Sequence, residues 1–344
     1  MLFIKFVQLF PVEADRAIEC LSMLTIVFLL TVKMAVFQKK GMRNLLNQTM
    51  DEIEISSHGD SKTKKIILIY TRYSNRLNII ITVYSFSVGI HLLIMGIFEY
   101  QQFQQIHPNC TEICYKPLQV LYWYPFDTDK YYGIVIFYQA FSVLFSDLYN
   151  SATQALFNTI MIALTAQLKS LQHHFSNSER NVSVGNEQLS KNATKRLIIS
   201  IQKHQSLISF TEELNISMKS ILLVEYIISS LMIASIVIQV FQGKRVFFNI
   251  HYGLALSYQM FALAWNANEI REESQNLSNA VYESQWYNRS ETFKKLVLTV
   301  ILRAQKPLSL KIGPFGSMTA DVALSRVKVA YTYVSLMSGE KIGS

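Results

Sequence analysis

Proline and glycine are scarce, at 6 and 12 of 344 residues, so the chain has no long linkers. Only three cysteines are present, Cys20, Cys110 and Cys114, which excludes a disulfide-rich scaffold. Cys110 and Cys114 share one loop, and a bridge or two free thiols both remain open. Cys and His show no metal spacing, so no metal or cofactor is expected. Charged residues make up 16%, too few for the surface of an ordinary soluble chain. HExxH, GxSxG and P-loop motifs are missing, which argues against the common hydrolases and nucleotide enzymes. Inverted repeats and broken helices, the usual marks of a transporter, are missing too. Met1 to Pro11 lacks the basic start and small-residue cleavage site of a signal peptide.

What is present is apolar sequence. Half of the residues are hydrophobic and mean hydropathy is +0.21. Several apolar runs reach the ~20 residues that a helix needs to cross about 30 Å of hydrocarbon. The expected fold is all-α, a polytopic bundle of membrane helices. Six spans are counted: 21–37, 77–98, within 131–171, 220–241, 246–265 and 317–337. The third apolar segment, at 1.5 Å per residue, is about 60 Å long and must project from the bilayer. Lys33 lies near the end of the first span, where it can snorkel to the interface. Asp147 and Glu225 are single acids at membrane depth, expected to make polar contacts between helices. Residues 56–61 read as a turn, 193–218 as a helix with one buried face in a polar loop, and 291–302 as a helix too short to span.

Basic residues set the orientation. Residues 38–76 hold eight Lys/Arg and 166–219 hold seven, against two each in 99–130 and 242–245. The first two segments are therefore expected in the cytoplasm and the other two outside. Both ends of a six-span chain then lie outside. The net charge of +8 belongs to this loop pattern, and no nucleic-acid partner is expected. Asn109, in Asn109-Cys110-Thr111, is the one glycosylation sequon in an outside loop; Asn47, Asn181, Asn192, Asn276 and Asn288 fall inside.

Two sets of residues point to function. In the last span Asp321, Ser325, Lys328, Thr332 and Ser335 recur at helical spacing on one face, as in a helix facing water in a pore or packed on other polar helices. Arg326 falls off this stripe and has no assigned role. The outer halves of the spans carry Thr25, Phe28, His91, Met95, Tyr138, Phe141, Ser142, Phe145, Phe248, His251, Tyr252 and Ala255. Aromatics, Met and a few hydroxyls suit a pocket for a small apolar ligand, and also suit ordinary helix packing.

The C-terminal motifs resemble those of the insect odorant receptors. They run Tyr282-Glu283-Ser284-Gln285-Trp286-Tyr287, Arg303-Ala304-Gln305-Lys306-Pro307-Leu308, Gly313 to Phe315, and Ala330-Tyr331-Thr332-Tyr333 with Leu336. Trp265 to Glu269 and Pro125-Phe126-Asp127 fit the same pattern. The resemblance implies an odorant-gated, non-selective cation channel in the plasma membrane of a sensory neuron dendrite, not an enzyme. It implies a heterotetramer with a shared co-receptor subunit, a volatile ligand held in the outer bundle, and a gate at or near Leu336 beside Tyr333. The co-receptor itself has a longer cytoplasmic loop. A gustatory receptor of the same superfamily is the nearest alternative, followed by a G-protein-coupled receptor and a transporter. Seven spans with an inside N-terminus are implied, so the first span is expected to be missing here. Residues 1–19 are then an N-terminal remnant, either outside or the tail of that missing span, and 20–171 hold three spans and the pocket. Residues 172–219 are a cytoplasmic loop and helix, 220–265 two spans, 266–312 a cytoplasmic anchor, and 313–344 the pore span and outside C-terminus.

Overall fold

Among the described residues proline is kept out of the helices. In the computed structural model, which describes residues 2–9, 14–106, 116–177, 187–322, 324–325 and 328, Pro117, Pro125, Pro307 and Pro314 all lie outside helices. Between them the helices run long. They are α1 (Leu2–Leu9), α2 (Ala14–Phe37), α3 (Lys40–Ser57), α4 (Ser61–Ile106), α5 (Tyr132–Asn177), α6 (Glu187–Phe241), α7 (Val246–Tyr282) and α8 (Glu291–Ala304). The result is an all-α bundle of membrane helices.

Several boundaries differ from expectation, α4 among them, which runs from Ser61 to Ile106 where the span was expected over 77–98. The helix expected over 193–218 and the span expected from 220 are one helix, the 55-residue α6. No Gly or Pro interrupts residues 187–241, so nothing ends the backbone ladder between the polar and apolar halves. Likewise α7 continues past the expected end of its span to Tyr282. Other boundaries fall where local chemistry places them. The turn at 58–60 separates α3 from α4, and Asp60 caps α4 by accepting from the Thr63 N–H at 2.9 Å. The Thr63 hydrogen bonds hold the Asp60 carboxyl below its usual range. Ser290 caps α8, with Glu291 in its first turn and Arg303 in its last, matching the helix dipole.

α5 is the axis of the bundle. It packs on α4, α6 and α7. From Phe157 to Gln172 nearly every α5 side chain is buried, in a core with α3, the middle of α6, α7 and α8. The buried face of α8 is Phe293, Val297, Val300 and Ala304. This basic end is tied by Lys169 to Glu273, 2.8 Å to each carboxylate oxygen, and by Lys203 to Glu52. There His204 is buried, and burial with the nearby Arg303 charge brings its pKa down to about 4.

The other halves of the helices show apolar side chains outward. Ile79, Val83, Phe137 and Phe247, the last 85% exposed, are examples. So much exposed apolar surface is the outside of a membrane protein. α4, α5 and α6 each contain an apolar stretch long enough to cross a bilayer, and Met23–Phe37 of α2 is a shorter apolar run. At this end α1 packs on α2, and Cys20 is a buried free thiol whose Sγ approaches the Leu2 carbonyl at 3.5 Å. Asn109, Cys110, Cys114, Arg326, Tyr331, Thr332, Tyr333, Ser335 and Leu336 lie outside the described residues.

A cavity between five helices

Away from the basic end the helices separate around a cavity of about 220 Å³. α2 contributes Ile26, Val27 and Leu30; α4 contributes Ser85, Val88, Gly89 and Leu92. From α5 come Ser142, Val143, Ser146, Asp147 and Asn150, and from the preceding loop Gln119 and Tyr122. α6 adds Leu222, Glu225, Tyr226 and Met232. Arg245, just before α7, and Phe248, Tyr252, Ala255 and Gln259 within it form a further side of the wall. Most of the wall is apolar and a few polar groups converge on it, the usual character of a small-molecule site.

Polar clusters close both ends. At the turn between α6 and α7, Gly243 and Arg245 take left-handed backbone, φ 72° and 41°. Arg245 is held there by Glu99 through two hydrogen bonds of 2.7 Å. At the deep end stands Lys33. Expected to snorkel, it is instead completely buried, because its ammonium finds partners inside. It donates to Glu225 and to Asn150 at 3.1 Å each. Gln154 also donates to Glu225, and Asn150 donates to Gln259 at 3.2 Å. A buried charge survives only with such partners.

Of the residues expected in a pocket, Ser142, Phe248, Tyr252 and Ala255 line the cavity. Thr25, Phe28, His91, Met95, Tyr138, Phe141, Phe145 and His251 lie off its wall. Phe28 is 55% exposed, and Phe141 and Phe145 are 60% exposed and stack at 6.1 Å on the outer face of α5. Each helix step turns about 100°, so Ser142 and Ser146 face inward where their neighbours Phe141 and Phe145 cannot. Tyr138 packs edge-on to Tyr122 and Tyr124. His91 and His251 bond through their Nδ1 atoms at 3.1 Å, and Ser87 lies 3.2 Å from the far nitrogen of His251. Missed in the sequence were Gln154, Gln259, Arg245 and the loop residues Gln119 and Tyr122, while Lys33 was noticed but read as reaching for the interface. Polar residues inside apolar runs were the available signal, and Lys33, Asp147 and Glu225 drew attention without being brought together.

The C-terminal motif residues connect this cavity to the start of the last helix. Trp286 donates to the Tyr282 carbonyl at 3.3 Å, and Gln305 ends α8. Lys306 accepts from Arg303 at 3.1 Å; beyond Pro307, the Leu308 N–H donates to Ser274 at 3.0 Å. A hairpin then forms over residues 310–318, with a bridge between Lys311 and Ser317. Asn215 pins it through the Ser309 carbonyl and the Lys311 N–H, at 2.8 and 2.9 Å. Its tip turns on Gly313 and Gly316, φ 50° and 90°. Phe315 stacks on Tyr226 at 5.7 Å, while Ile312 and Met318 form part of the cavity wall. Asp321, Ser325 and Lys328 come next, all exposed on this chain.

Comparison with known proteins agrees with this architecture. The profile of the family described as 7tm Odorant receptor matches residues 13–331. Odorant receptor 10 of Aedes albopictus is 32% identical over 174 residues, covering 50% of this chain and 46% of that protein. Odorant receptor Or2 of Anopheles gambiae is 27% identical over 140 residues, 40% of this chain and 37% of that one. The chain thus spans less than half the length of these curated relatives. The fold is that of the insect olfactory receptor OR5 from Machilis hrabei, with a TM-score of 0.80 at 18% identity, over 98% of this chain and 86% of that one. The same receptor in complex with eugenol gives 0.71, also at 18% identity, over 95% and 82%. The chain belongs to the 7tm odorant receptor family.

Proposed function

We propose that this chain is a ligand-binding subunit of an odorant-gated, non-selective cation channel in the plasma membrane. The cavity between α2, α4, α5, α6 and α7 holds the odorant. The observation that carries this reading is the shared wall: Ile312 and Met318 border the cavity and belong to the hairpin leading into the last helix. An occupant touching them acts on the segment that bears Asp321, Ser325 and Lys328, the polar stripe proposed to face the pore with Thr332 and Ser335. Leu336 is proposed as the hydrophobic gate, closing by dewetting. A ligand opens such a channel only as far as it binds the open state better than the closed one. The partner is a co-receptor subunit in a heterotetramer, which meets this chain at the basic end around α8.

The test is electrical. Expressed with an insect odorant co-receptor, the chain should give cation current when volatile odorants are applied, eugenol among the first, since a receptor of the same fold binds it. Odorant uptake without such current would favour a transporter and overturn the channel reading. Cysteines placed at 321, 325 and 328 should each react with a water-soluble thiol reagent and block that current; inert cysteines would remove the stripe from the pore.

A further inference from the structure

Two acids line the cavity, and they are in opposite situations. Glu225 has its cation, Lys33 at 3.1 Å, and a second donor in Gln154. Asp147 has no such partner among the described residues. Its Oδ2 is buried and accepts no hydrogen bond, and no described ion pair includes it. The one basic residue among those described on the cavity wall, Arg245, is already held by both oxygens of Glu99. The helix opposite makes room for this carboxylate: a Cβ at Gly89 would lie 2.0 Å from Asp147 Oδ2. The cavity lining combines apolar Val88, Leu92, Val143 and Phe248 with Ser142, Ser146 and Tyr252, whose hydroxyl donates to the Met232 sulfur at 3.7 Å rather than to Asp147.

A carboxylate left without a donor in an apolar cavity is costly, and the missing donor is the strongest attraction that the cavity offers. We infer that the occupant is a small, mostly apolar molecule carrying a hydrogen-bond donor, an alcohol or an amine, and that the Asp147 carboxylate accepts from it. This rests on the cavity being the odorant site. Molecules that only accept, such as ethers, esters and ketones, pair with Asp147 only after it has taken up a proton, and are selected against by that cost. A site that bonds a polar group rejects a same-sized analogue without it far better than an apolar pocket rejects a change in size.

The probes are heptanol, heptylamine and hexyl methyl ether, which share heavy-atom count and flexibility. Current is recorded from the full chain with a co-receptor, and surface labelling checks expression of each variant. The native chain should respond to the alcohol or the amine at about 10- to 100-fold lower concentration than to the ether, the range of one hydrogen bond to a charged group. In Asp147→Ala that preference should fall to within about threefold. In Asp147→Asn, whose amide nitrogen can donate to the ether oxygen as well, both preferences should fall to within about threefold. Should Asp147→Ala fail to reach the surface, the native comparison and Asp147→Asn decide. An ether as potent as the alcohol in the native chain, or an alcohol preference unchanged in Asp147→Ala, overturns the inference. Responses confined to acceptor-only odorants in a wider panel also overturn it while leaving the odorant reading intact. Silence to the whole panel at normal surface expression sinks both.

Discussion

The two halves of α5 contrast sharply. From Phe157 to Gln172 the helix is enclosed on all sides, with Phe157, Ile160, Met161, Leu164 and Leu168 in one continuous core. From Tyr132 to Asn150 it shows one face to the cavity and another, with Phe137, Phe141 and Phe145, to the outside. The same helix is thus an axle at one end and a wall at the other. Dense packing resists any change of volume, whereas a wall beside empty space tolerates it. The basic end therefore holds the chain in shape, and the cavity end tolerates changes of side-chain volume.

The sharpest way to break that contrast is to make one kind of cut in each half. Phe293→Ala, in the core against α8, should cost about 3–5 kcal/mol and abolish surface expression or sharply lower the melting temperature in detergent. Next, Lys33→Met removes a fully buried cation and leaves Glu225 uncompensated, at about 3 kcal/mol or more. Adding Glu225→Gln should recover most of that loss. If the double variant melts no higher than the single one, the pair is not the reason that both charges are tolerated.

A matched pair comes third. Met161→Ala should cost about 2–4 kcal/mol, and Met232→Ala, beside the cavity, about half as much, because its neighbours already border empty space. Equal losses would show that the cavity end is as tightly packed as the core. A pH series tests the basic end alone. His204 is neutral in the fold, with a pKa of about 4 against about 6.5 when unfolded. The unfolded chain binds the extra proton between those values, so stability is full above pH ~6.5 and declines as pH falls toward ~4. His204→Gln should flatten the melting temperature over that window. The smallest effect belongs to the exposed pair Lys294–Glu291 on α8, where Lys294→Ala should change stability by under about 0.5 kcal/mol.

Sequence periodicity made α8 legible almost to the residue, because its buried face repeats at helical spacing and Ser290 and Arg303 mark its ends. Residue type in the outer halves of the spans singled out Ser142, Phe248, Tyr252 and Ala255, which line the cavity. The cavity wall as a whole was not legible, since it belongs to no single helix. Lys33 and Glu225 stand 192 residues apart, and nothing local in either segment names the other. For the same reason Lys33 read as a side chain that would reach for the interface. Phe28, Phe141 and Phe145 show the converse. Their composition suits a pocket, and only the rotational setting of α2 and α5 in the bundle turns them outward. Asp147 was read as a contact between helices, and the structure instead leaves its Oδ2 without a partner among the described residues.

One more consequence lies in the unbroken course of α6. Its 55 residues amount to a rod about 80 Å long with no joint, neither proline nor glycine. Leu222, Glu225 and Met232 border the cavity near one end of it, and Asn215, less than three turns from Glu225, grips the hairpin that leads to the last helix. A rod cannot absorb a twist by bending at a hinge. Rotation imposed at the cavity meets no hinge before Asn215, and the grip turns with it.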